Sequence, residues 1–93
     1  MTEKKLETYL RDQAKRRGGL ALKLVIVSLI GFPDRTVIGP GRSIGFAELK
    51  TVTGRASRAQ LFWIDKLRAF GFVAEVIRTR EEADDFLATV LTE

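Results

Sequence analysis

The chain contains no cysteine and no histidine. Those absences exclude disulfides, thiol nucleophiles, zinc fingers and imidazole general bases. Any hydrolytic chemistry must run on carboxylates, lysine and an oxygen-liganded metal. Long hydrophobic runs are also missing. The longest, Leu20 to Ile30, is interrupted by Lys23 and Ser28 and falls well short of the roughly 20 residues that cross a bilayer. Thr2-Glu3-Lys4-Lys5 offers none of the apolar stretch of a signal peptide. A cytoplasmic protein with no membrane partner is expected.

What is present fits one small globular domain over residues 1–93, with 45% hydrophobic and 30% charged residues. That length supports one core but not a catalytic domain plus a separate recognition domain. The net charge is +4 and unevenly spread. Residues 1–58 hold 12 Lys/Arg against 5 Asp/Glu, and residues 59–93 hold 4 against 7. The first part is therefore suited to a polyanion.

The pattern of elements reads as αβββαβα. Thr2 caps a helix running to about Arg17, ended by Gly18-Gly19. Its apolar stripe is Leu6, Tyr9, Leu10 and Ala14, edged by Glu3 and Glu7. Leu20 to Val27 is continuously apolar and β-branched, as in a central strand buried on both faces, and Lys23 within it points towards a site or reaches water from an edge. Arg35–Ile38 and Ser43–Leu49 flank Gly39-Pro40-Gly41-Arg42, a tight reversal that predicts a hairpin. After a polar loop, Ser57 and Gln60 form a capping box that starts a second helix. There Gln60, Trp63, Ile64, Leu67 and Phe70 share one face and Phe62 lies opposite. Gly71 ends that helix and Phe72–Ile77 is a strand. Thr79 and Glu82 start a last helix that turns Ala83, Phe86, Leu87, Val90 and Leu91 inward. The fold class expected is α/β, a mixed central sheet flanked by helices.

Within this frame two carboxylates and a lysine stand out. Glu48 and Lys50 share one face of their strand. If the turn centres on Gly41, Ile38 faces Ile44, Thr36 faces Phe46 and Asp34 faces Glu48. Directly opposed Cβ atoms lie roughly 4.5–5.5 Å apart, where like charges repel, so a cation between them is the natural reason for the pair. Two hard oxygen ligands suit Mg²⁺ or Mn²⁺. A cation there activates water for attack on phosphorus and neutralises charge on phosphoryl oxygens. Lys50 would orient or deprotonate that water, or stabilise the pentavalent phosphate. The bland alternative is a turn aspartate beside a solvated Glu-x-Lys.

Pro33-Asp34 and Glu48-Leu49-Lys50 on an αβββαβ core resemble the PD-(D/E)xK nuclease superfamily, with its restriction-endonuclease-like core. Gly31-Phe32-Pro33-Asp34-Arg35, Phe46-Ala47-Glu48-Leu49-Lys50, Ser57 with Gln60, Glu7 and Gly71 narrow the resemblance to small stand-alone VRR-NUC domains of phages and bacteria. The chain departs from that pattern at Val27-Ser28-Leu29-Ile30, where a Gly/Arg-rich run is usual, and at Arg58, where proline often follows the serine. The resemblance implies metal ligation by Asp34, Glu48 and the Leu49 backbone carbonyl, with Glu7 reaching the metal or its water shell. It implies that Lys50 serves the attacking water and Gln60 supports the site, and that no small-molecule cofactor besides the metal is needed.

The activity expected is metal-dependent endonucleolytic cleavage of DNA, branched substrates such as four-way junctions included, in a bacterial or phage-infected cell. Lys23, Arg35, Arg42, Arg55 and Arg58 are the candidate DNA contacts, recognising shape through phosphates rather than bases. Symmetrical resolution of a junction implies a two-fold dimer, for which exposed Phe62 is the candidate contact. The rivals are an archaeal-type junction resolvase or restriction-like subunit, a non-catalytic DNA- or partner-binding module, and a binder of acidic partners.

Overall fold

Each helix begins where a hydroxyl can satisfy its free N–H groups. In the computed structural model, which describes residues 1–91, the Thr2 hydroxyl accepts from Lys5 N at 3.1 Å and opens α1 (Glu3–Arg16). Gly18, at φ +83°, takes the left-handed conformation that turns the chain out of it. Ser57 caps α2 (Arg58–Ala69) with a complete capping box, and Gly71, at φ +94°, follows it. Thr79 caps α3 (Arg80–Val90) by accepting from Glu82 N. The Glu82 carboxylate reaches one residue further back than the box pattern predicts, to Arg78 N at 2.7 Å.

The strands are β1 (Leu20–Lys23), β2 (Arg35–Gly39), β3 (Ser43–Leu49) and β4 (Val73–Ile77), in spatial order β1-β2-β3-β4. The first two pairings are antiparallel and the third is parallel. A single 3-10 turn at Pro40–Arg42 joins β2 to β3, with Gly41 at φ +69° at its centre. The register is Ile38 with Ile44 and Thr36 with Phe46, as the hairpin reading expected. With helices on both faces of a mixed sheet, this is the αβββαβα, restriction-endonuclease-like arrangement.

Strand alternation sorts the core into two layers. Val37, Ala47, Leu49 and Ile77 pack with Leu6 and Leu10 of α1 and Phe86 and Leu87 of α3. On the other face Ala74, Phe46 and Val76 meet Ile64 and Leu67 of α2. All five residues expected to face inward from the last helix are buried.

The run Leu20 to Val27 departs from expectation. Only its first four residues form a strand, and that strand lies at the edge of the sheet. Helix α2 packs on β4, leaving the same face of β1 uncovered, so Leu20 is half exposed; Lys23, on the opposite face at the end of the strand, is exposed too. Beyond Lys23 the chain leaves the sheet, and Val27 and Ile30 are 94% and 84% exposed. Phe70, expected on the inner face of α2, falls at its C-cap and is 66% exposed. Among the described residues no helix is long and apolar enough to cross a membrane.

Candidate active site

Asp34 precedes β2 by one residue, so the register of β2 and β3 carries it opposite Glu48. The local backbone is held firmly. Asp34 O accepts from Leu24 N at 2.9 Å, and Pro33 is fully buried. Gly31, at φ +85°, lies so close to the start of α2 that a Cβ there would fall 2.6 Å from Ala59. Phe32 stacks edge-on against both Phe46 and Trp63, and the Trp63 indole donates to Ile30 O at 3.1 Å. The segment carrying Asp34 is thus clamped onto α2. Trp63 serves that packing, as a core residue would.

Glu48 is only 8% exposed. Loss of solvation, and then the negative charge of Asp34, push its carboxyl up to about 7, against smaller opposing effects of Lys50 and Arg35. Glu3, at the start of α1, pushes in the same direction as Asp34. Gln60 Nε2 donates to Glu48 Oε2 at 3.1 Å, while Gln60 Oε1 accepts from Ser57 N at 2.8 Å. One side chain therefore closes the helix cap and supports the carboxylate. Lys50 follows β3 on the Glu48 face, half-buried, and its N–H donates to Ile77 O at 3.0 Å.

The main-chain groups of Leu49, one residue earlier, turn the other way, towards Pro33 in the continued register. Proline has no N–H to give, so the Leu49 carbonyl meets no ladder donor there. Two carboxylates and such a carbonyl are an all-oxygen donor set of the kind hard divalent cations take. Among the described residues no three acidic side chains converge into a fuller cage. Mg²⁺ usually binds through one or two carboxylates and leaves the remaining positions to water and phosphate. The residues present fit such an ion.

Two placements differ from the sequence reading. Arg35, expected to contact DNA, is 7% exposed, with its guanidinium on the carboxylates of Glu7 and Asp34. It begins β2 on the face that α1 covers, so its charge is spent inside the protein. Glu7, expected near the metal, is held by Arg35. The remaining basic candidates are exposed but scattered. Arg55 and Arg58 flank the Gln60 cap. Lys23 ends β1 opposite Arg35. Arg42 sits at the far end of the hairpin, five residues along β2 from Asp34's side, or about 17 Å.

Arg78 gave no signal in the sequence. It lies just after β4, and its Nη1 donates to Gly54 O at 2.6 Å and Thr51 O at 3.2 Å. It thereby fixes the loop between Lys50 and Arg55. Its partners are 24 and 27 residues away, beyond the reach of any local pattern.

Two concave surfaces, one between β4 and α3 and one along α1 beside Arg80, lie away from Asp34 and Glu48.

No family model matches the sequence, and no curated protein does. Among solved structures, one described as a VRR_NUC domain superposes with a TM-score of 0.82 and 27% sequence identity, over 91% of this chain and 92% of that one. Likeness over nearly the full length of both chains, joined to the Pro33-Asp34 and Glu48-Leu49-Lys50 pairing on this sheet, supports the resemblance of this chain to VRR-NUC domains.

Proposed function

We propose that the protein is a metal-dependent DNA endonuclease. The observation that carries this reading is the opposition of Asp34 to buried Glu48 across β2 and β3, with Lys50 on the same face. Asp34, Glu48 and the Leu49 carbonyl would hold Mg²⁺ or Mn²⁺. When bound, the ion supplies Lewis acidity and offsets charge growing on the phosphoryl oxygens. Lys50 places an ammonium beside the scissile phosphate, to orient the nucleophile or stabilise the transition state. Gln60 keeps Glu48 turned towards the ion. Arg55 and Arg58 add phosphate contacts at the same end of the sheet, which position a duplex without reading its bases.

The substrate we propose is branched DNA, four-way junctions included, cut by a homodimer. The support for a dimer is apolar surface left uncovered among the described residues, with Leu61 and the 57% exposed Phe62 on the outer face of α2. Two active sites related by a two-fold axis suit a substrate cut on two strands.

The test is cleavage of a labelled four-way junction beside a matched linear duplex, with Mg²⁺, Mn²⁺ or EDTA. Asp34→Ala and Lys50→Ala variants, checked for folding, accompany the wild type. Metal-dependent nicking that both variants lose is expected. A junction bound but left intact with either metal would favour a DNA-binding module that keeps the nuclease fold. Sedimentation of the wild type and Phe62→Asp tests the dimer.

A further inference from the structure

We propose that Arg35 is an internal counter-cation that competes with the divalent ion for Asp34, and that Glu7 tunes this competition by drawing the guanidinium towards α1. The inference rests on the metal-binding reading above. Arg35 Nη1 lies 2.7 Å from Asp34 Oδ1, and Nη2 lies 2.5 Å from Glu7 Oε2. The guanidinium bridges the strand that carries the site to the helix that covers its opposite face.

The fit of this arginine is incomplete. Nε and Nη1 are buried without a hydrogen-bond partner. Close as Nη1 is to Asp34, their contact is a charge contact lying off the hydrogen-bonding direction. Burying guanidinium N–H groups unpaired is costly, and an apolar side chain would fill the space without that cost. What the position needs is positive charge. Asp34 and Glu3 both act on Glu48, and Glu7 stands on the other side of the guanidinium. Three carboxylates and a carboxyl share this end of the sheet, with Arg35 and Lys50 as the nearby cations.

A divalent ion on Asp34 would face the Arg35 guanidinium at close range, where like charges repel strongly in a medium of low effective dielectric. The two cations therefore divide Asp34 between them. Glu7 gives the guanidinium somewhere else to go. Its carboxylate favours metal binding without touching the metal, because it withdraws the competing charge. Glu7 is then a positioning residue that acts through Arg35, and metal occupancy is coupled to the contact between α1 and the sheet.

Isothermal titration of the full chain with Mn²⁺ tests this on four proteins whose folding is verified by circular dichroism: wild type, Arg35→Met, Glu7→Gln and the double variant. Removing the competing charge should tighten Mn²⁺ binding about tenfold, a cautious fraction of the repulsion one charge exerts on a nearby divalent ion. Glu7→Gln alone should weaken binding by about the same factor. In the Arg35→Met background, Glu7→Gln should change affinity by less than about twofold, since its effect runs through the missing arginine. If Arg35→Met does not fold, Arg35→Gln replaces it with the same expectation, because its amide is polar but carries no charge. Unchanged or weaker binding on loss of the Arg35 charge would overturn the inference. So would equal weakening by Glu7→Gln in both backgrounds, which would make Glu7 a direct ligand. In either case Mn²⁺ still binds, and the nuclease reading stands. A wild type that takes up no Mn²⁺ at all would overturn that reading and the inference together.

Discussion

Gln60 and Glu48 are joined by one hydrogen bond whose direction is fixed from outside the pair. Gln60 Oε1 accepts from the Ser57 N–H at 2.8 Å, so its Nε2 must face, and donate to, Glu48 Oε2 at 3.1 Å. The helix cap thereby sets the donor that the buried carboxylate sees.

Gln60→Ala should cost about 1–2 kcal/mol, from loss of half the capping box and of the Glu48 contact. Gln60→Glu keeps an acceptor for Ser57 N but places a second carboxylate against Glu48. It should raise the Glu48 carboxyl further and, in EDTA, destabilise the protein more at pH 8 than at pH 5. Urea denaturation at the two pH values separates these effects. A Gln60→Glu penalty that does not vary with pH would show that the amide acts on the cap alone.

The Glu48 carboxyl itself predicts a pH dependence. Its folded value of about 7 lies above the ordinary 4.5, chiefly through loss of solvation and then through Asp34. The folded state therefore holds this proton more tightly than the unfolded chain. The stabilising contribution is full below about 4.5 and is lost as pH rises through about 7. Without metal, stability should fall by at most about 3 kcal/mol from this group between those limits. Glu48→Gln should flatten that slope. Because a ligand carboxylate must be ionised, Mn²⁺ affinity should rise with pH up to about 7 and then level off, which titrations at several pH values would reveal.

Gly31 admits no side chain. Its φ of +85° strains any L-residue, and a Cβ would meet Ala59 at 2.6 Å. Gly31→Ala should destabilise by about 2–4 kcal/mol, combining left-handed strain with overpacking against α2. If the segment shifts instead of the whole protein weakening, Asp34 moves with it. Mn²⁺ affinity should then fall although no ligand has changed.

Arg78→Met removes both hydrogen bonds that Nη1 gives to the loop after Lys50. The expected cost is about 1–3 kcal/mol, with faster amide exchange in residues 51–56 than in α3. DNA binding should weaken with it, because that loop carries Arg55. Loop exchange indistinguishable from the wild type would show that the two carbonyl contacts do not order the segment.

The sequence by itself determined the order of elements and the hairpin register. It also determined the start of each helix, because caps, turn glycines and strand alternation act over two to five residues. The opposition of Asp34 to Glu48 was legible for the same reason, since a turn centred on Gly41 carries both positions into register. What the helices cover was not legible. Leu20–Val27 reads as a buried strand from its apolar side chains, yet β1 lies at the sheet edge and the run leaves the sheet after Lys23. Only the tertiary structure decided that Arg35 belongs to Glu7 and Asp34, that Trp63 holds Ile30 and that Arg78 holds Gly54. The Glu7, Trp63 and Arg78 contacts join residues 24 to 33 positions apart. A charge in the sequence looks the same whether it faces water or another element. Packing, by removing the water, decides which partner it takes.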